Sequence, residues 1–170
     1  MNEQSRSSSF DPNSVRKVVN VNAPQSIAWD VFTQQMGTWW PLAVYKIGNA
    51  NAVDAVMEPR VGGRWYERGE DGSTCDWGRV LAWEPPHRVV LSWQLDGAWE
   101  YDPDPAHATE VEVRFVAEGP STTRVELVHS KFDRARSGAQ LRVGVGNDNG
   151  WNGLLRRFEA AVDGRDLPAI

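Results

Sequence analysis

Cysteine is nearly absent: Cys75 stands alone in 170 residues, which excludes an intramolecular disulfide and a cysteine-based zinc cluster. Positive charge is in deficit, with 18 Lys and Arg against 23 Asp and Glu and a net charge of −5. A nucleic-acid binder needs a basic face, and an anionic membrane surface attracts clustered Lys and Arg, so neither partner is expected. No apolar run approaches the ~20 residues of a membrane-spanning helix. Met1–Ser14 is polar and serine-rich with no apolar signal-peptide core. A cytoplasmic, reducing compartment is the default expectation.

What is present in excess is tryptophan. There are nine, and all but Trp93, Trp99 and Trp151 lie earlier in the chain. With 41% apolar and 24% charged residues, the chain has the composition of a globular protein. Its length suits one domain, expected over 15–164, with a loose tail at 1–14 and a short one at 165–170.

One stretch organises the chain: Asn149–Val162, read as a single amphipathic helix. Trp151, Leu154, Leu155, Phe158, Ala161 and Val162 draw one apolar stripe, while Arg156, Arg157, Glu159 and Asp163 turn to water. Asn147, Asp148 or Asn149 can cap the start and Gly164 can end it in the left-handed conformation. Such a helix needs a concave apolar surface, and the middle of the chain supplies one. Val15–Asn22 reads as a first strand, Ala23-Pro24 as a helix start, and Gln35–Trp40 as a second short helix stopped by Pro41. From Val53 the period is that of strands: Val53–Met57, Trp65–Arg68, Cys75–Trp83, Val89–Leu95, Glu110–Ala117 and Arg124–His129. Glu70-Asp71-Gly72-Ser73 is a hairpin turn. Trp99–Ala108 reads as a loop, and Lys131–Gly146, dotted with glycine, as a long loop with at most one helical turn. The sum is α+β, one antiparallel sheet covered on one side.

This order of elements resembles the START-like (SRPBCC) superfamily, and within it the short, single-domain bacterial form of the activator of heat-shock protein 90 ATPase homologue family. The likeness rests on Ala23-Pro24 through Val31-Phe32, Arg60-Val61-Gly62-Gly63-Arg64-Trp65, Trp77-Gly78-Arg79-Val80, Glu84-Pro85-Pro86-His87-Arg88-Val89, Leu91-Ser92-Trp93, Thr109–Phe115, Thr123–His129 and Gly150-Trp151. It implies a helix-grip (START/Bet v-like) fold, in which a curved sheet of about seven strands wraps the long C-terminal helix around an internal cavity. Two short helices follow strand one. Superfamily members bind lipids, hormones or polyketides, and some catalyse cyclisation or hydrolysis. Eukaryotic activators stimulate the chaperone's ATPase but carry an additional N-terminal domain.

Three functions follow as expectations: uptake of an apolar or amphipathic small molecule; acid–base chemistry of the polyketide cyclase or hydrolase type in the same cavity; or regulation of a chaperone ATPase. No cofactor and no metal is expected, and a homodimer through an edge strand stays open. The expected cavity wall comprises Trp40, Trp65, Trp77, Trp93, Phe115, His129 and Trp151, although the same rings would also serve simply to fill the core. Glu67 and Arg79 are candidate polar anchors. An odd-numbered hairpin loop puts Trp65, Glu67, Trp77 and Arg79 on one face, and a two-residue loop puts Asp76 and Gly78 beside Glu67 instead. His129 and Glu67 are the candidate bases, His129 equally reading as a hydrogen-bonded core histidine. His87 is expected at the surface, and His107 in its acidic loop is a weak metal candidate. Gly144–Gly150 lacks dinucleotide-loop spacing and reads as a flexible lead-in to the helix, placed to gate a cavity mouth. Cys75 reads as a packing residue.

Overall fold

A computed structural model describes residues 13–170. The tail expected at 1–14 therefore falls outside the described residues except for Asn13 and Ser14, and Ser14 already opens the first strand. Seven strands form: β1 Ser14–Val21, β2 Ala52–Met57, β3 Arg64–Gly69, β4 Thr74–Glu84, β5 Arg88–Trp93, β6 Thr109–Gly119 and β7 Thr122–Ser130. They make one sheet in the order β1-β7-β6-β5-β4-β3-β2, antiparallel at every junction. Alternation decides which side faces in. On β6, Val111, Val113 and Phe115 are buried between half-buried or exposed Glu110, Glu112 and Arg114.

Register shifts at Trp65/Tyr66, Val80/Ala82 and Ala117/Gly119 bend the strands and deepen the twist, so the sheet curls into a half-barrel. At one of these bends β4 passes unusually close to β5. A Cβ on Gly78 would lie 1.7 Å from the Ser92 carbonyl oxygen, and backbone cannot give way as a side chain can. Gly78→Ala is expected to destabilise the fold by about 1–3 kcal/mol or more, read as a lower denaturation midpoint at unchanged m-value.

Pro24 leads into helix α1, Gln25–Thr33. The second short helix expected at Gln35–Trp40 is a single 3-10 turn, Met36–Thr38. The expected long loop at Lys131–Gly146 is a correction: it holds a 3-10 turn, Phe132–Arg134, and a helix, α2, Gly138–Gly146. Gly138, Gly144 and Gly146 argue against helix at about 1 kcal/mol each relative to Ala. Leu141 and Val145, one turn apart, are buried at 0% and 3% exposure, and that tertiary packing outweighs propensity.

The closing element runs from Asp148 to Asp163 in two parts, a wide π-type turn over Asp148–Asn152 and helix α3, Gly153–Asp163. Gly150, at φ −87° and ψ −130°, interrupts what the sequence suggests is one continuous helix. Leu154, Leu155 and Phe158 form the expected buried stripe, and Gly164 ends α3 at φ +71°. The last residues fold back along it: Arg157 donates to the carbonyls of Trp39 at 2.7 Å and Pro168 at 2.8 Å.

The space between sheet and helices has two unlike halves. Beneath α1 it is filled: Phe32 meets Trp39, Phe115 and Phe158 at ring distances of 5.2–5.7 Å, and Trp29 meets Trp83 and Phe115. Beyond Trp40 it is not.

Candidate functional site

There the sheet, the 40–47 segment and the closing turn enclose a cavity of about 550 Å³, within the ordinary range for small-molecule sites. Trp77 and Trp93 face it from β4 and β5, with Leu95 just beyond. Trp40, Val44, Tyr45, Lys46 and Ile47 form a second wall, and Val145, Asn147, Asn149, Trp151 and Leu154 a third. Trp99, held at φ +64°, covers one side. Its ring lies against Gly144, where a Cβ would come within 2.7 Å of it.

The tryptophans are tethered by their indole N–H groups. Trp40 donates to the Tyr45 carbonyl at 3.0 Å, Trp65 to the Met36 sulfur at 3.3 Å, Trp77 to Glu67 Oε1 at 2.9 Å and Trp151 to His129 Nδ1 at 3.1 Å. Among the described residues, Trp93 Nε1 is the one buried side-chain nitrogen or oxygen with no partner.

Glu67, 2% exposed, stands behind the wall. Besides Trp77, the backbone amides of Ile47 and Gly48 donate to its oxygens at 2.7 and 3.0 Å, so one carboxyl group pins the segment that forms the second wall. Tyr45 closes that segment over the mouth, its hydroxyl donating to the Asn149 carbonyl at 2.5 Å. Burial raises the pKa of this phenol, which keeps it a donor.

His129 is fully buried. Since Trp151 donates to Nδ1, the ring proton sits on Nε2 and is given to Thr109 Oγ1 at 2.7 Å; Thr109 in turn donates to the Trp93 carbonyl at 3.4 Å. Burial drives the imidazole pKa down to about 3. With its lone pair occupied, His129 orients Trp151 and has no free nitrogen to act as a base.

Of the expected wall, Trp40, Trp77, Trp93 and Trp151 meet the cavity, while Trp65, Glu67 and His129 support it from behind. Phe115 lies in the filled half, against Trp29 and Phe32. Arg79 requires a correction. The hairpin loop is odd-numbered, pairing Glu67 with Cys75, but the shift beside Trp65 pairs Trp65 with Gly78 and Arg64 with Arg79. Arg79 therefore leaves the cavity face and lies exposed, 3.8 Å from Asp76. It anchors nothing inside. Tyr45, Lys46, Ile47, Leu95 and Trp99 are lining residues that sequence reasoning missed; the available signal was apolar Val44, Tyr45 and Ile47 in a stretch with no strand or helix period.

The remaining candidates have local roles. His107 binds Asp102 at 2.8 Å, and Arg136 reaches the same carboxylate at 3.0 Å, holding the acidic loop together. His87 is exposed and contacts Gln25. Burial, reinforced by the Glu67 charge, raises the pKa of the Cys75 thiol, in keeping with a packing role. Among the described residues, no helix is long and apolar enough to cross a membrane.

The family model for activator of Hsp90 ATPase homolog 1-like proteins matches residues 22–163, nearly all of this architecture. The chain belongs to that family. Within this SRPBCC-superfamily family, it is 39% identical to Txn09, described as an anthrahydroquinone-γ-pyrone synthase, over 88% of this chain and 96% of that one, with a TM-score of 0.62. It is 33% identical to CalC from Micromonospora echinospora, a self-sacrificing resistance protein, over 89% of this chain and 94% of that one, with a TM-score of 0.65. CalU16 from the same organism shares the fold at 24% identity and a TM-score of 0.59, over 92% of this chain and 76% of that one. No curated protein matches the chain.

Proposed function

We propose that this family member binds a flat, largely apolar small molecule of the fused-ring aromatic type in the cavity between sheet and closing helix. The observation that carries the reading is the cavity itself, about 550 Å³ and walled by Trp40, Trp77, Trp93, Trp99 and Trp151. Broad aromatic faces suit a planar ring system by stacking and edge contacts. Lys46, the charged side chain of the wall, suits an acidic substituent near the mouth. The 39% identity to an anthrahydroquino-γ-pyrone synthase supports the same ligand class.

Saturable 1:1 binding of anthracene-2-sulfonate is expected by titration calorimetry. Val145→Trp, which fills the cavity from α2, is expected to weaken it at least tenfold in protein whose melting transition shows it folded. Absence of binding, or binding indifferent to the filled cavity, would overturn the reading.

The likeness to a synthase also favours a second reading, that the cavity directs a ring closure. Tyr45 and Lys46 are the lining side chains able to exchange protons there, and His129 and Glu67 are both engaged in holding the walls. Product formation from a linear polyketide-type precursor, monitored by mass spectrometry, tests this.

A further inference from the structure

The wall contains one donor with nothing to donate to. Trp93 Nε1 is buried and unpartnered, and a buried N–H left unpaired costs about as much as a lost hydrogen bond. Its ring neighbours show why no protein group answers it. Trp65 and Trp151 stand edge-on at 5.8 and 5.7 Å, and His129 lies at 5.0 Å. The one acceptor nitrogen in that group, His129 Nδ1, already receives the Trp151 N–H. Trp40, Trp77 and Trp151, the other buried tryptophans of the wall, each spend their N–H on the protein. Trp93, alone of them, leaves its donor unpaired, on a residue that lines the cavity.

We infer that Trp93 Nε1 is the recognition donor of the cavity, and that the ligand class is narrowed to fused-ring aromatics bearing an oxygen acceptor on the ring system, such as a quinone or pyrone carbonyl. The inference rests on the binding reading above and adds a chemical requirement to it. The nitrogen is buried, so this recognition requires the indole to turn toward the cavity when an oxygen acceptor enters. A hydrocarbon of the same outline fills the walls equally well but leaves the donor unpaired, and a site built to hydrogen-bond one group discriminates against the analogue that lacks it.

The test compares 9,10-anthraquinone-2-sulfonate with anthracene-2-sulfonate, alike in outline and charge and different in the two ring carbonyls. Wild-type protein is expected to bind the quinone about tenfold more tightly, and Trp93→Phe to bring the two affinities together, because loss of ring area weakens both probes alike. In ¹⁵N-labelled wild-type protein the Trp93 indole proton is expected to move downfield with the quinone and not with the hydrocarbon, a readout independent of whether the variant folds. Equal affinities in the wild type, a preference that survives Trp93→Phe in folded protein, or an indole proton indifferent to the carbonyls would each overturn the inference while leaving the cavity's binding role standing. Failure of both probes to bind would remove the binding reading and this inference together.

Discussion

The wild-type protein is expected to lose about 1.4 kcal/mol of stability per pH unit through His129 between pH 6.5 and pH 3, a loss that a His129→Gln variant does not show. Burial lowers the folded-state pKa of this imidazole from 6.5 to about 3. In that window the unfolded chain takes up a proton that the folded chain refuses, so acid favours unfolding. Above pH 6.5 neither state binds it and the full stability is present. Protonation would place a charge among Trp93, Phe132 and Trp151 and, with the proton on Nδ1, break the tether to Trp151. Urea unfolding of both proteins at pH 7.5, 6 and 5 provides the check. The difference between them isolates His129 from carboxylates that titrate lower, and parallel pH profiles would show that the ring is not held neutral by the fold. The variant also carries a pH-independent loss from reduced packing.

Glu67→Ala is expected to be the more damaging of two changes at this position, costing on the order of 3–5 kcal/mol, because each buried donor left unpaired costs about 1–3 kcal/mol. It strands three donors at once: the Trp77 indole and the amides of Ile47 and Gly48. Glu67→Gln keeps the shape and one acceptor oxygen but turns an NH₂ toward a donor, and about 1.5–3 kcal/mol is expected for it. Thermal melts give the ranking, and amide hydrogen exchange locates the effect. Ile47 and Gly48 are expected to lose protection before the β5–β6–β7 strands do. Uniform loss across the sheet would mean that Glu67 supports the fold at large and not the 45–48 wall.

The strands and the stripe of α3 were legible because each follows from a period: two residues for Val111, Val113 and Phe115, three and four for Leu154, Leu155 and Phe158. Helix α2 was hidden by its glycines, whose cost is repaid by long-range burial of Leu141 and Val145 that no local window contains. Arg79 was misplaced by a single register shift beside Gly78, since one extra residue exchanges the faces of a strand. The hydrogen-bonded partners of Glu67 were invisible for another reason. Ile47 and Gly48 contribute backbone amides, which every residue carries, so residue type leaves no trace of them. Trp93 is legible as a wall residue from its strand period, but its unpaired nitrogen depends on where every neighbouring acceptor lies in three dimensions.

The two unlike halves of the interior also divide evolutionary freedom. The filled half beneath α1 interlocks Phe32, Trp39, Phe115 and Phe158, so a change of volume there is felt by several neighbours. The hollow half is lined in part by loop side chains, Val44, Lys46, Ile47 and Trp99 among them, and Glu67 fixes the backbone at Ile47 and Gly48 from behind. On the proposed binding function, exchange of those side chains would alter what the cavity accepts with little effect on how the chain folds. A scaffold partitioned in this way can change the shape and chemistry of its cavity by substitutions in short segments, with the sheet serving as a constant frame.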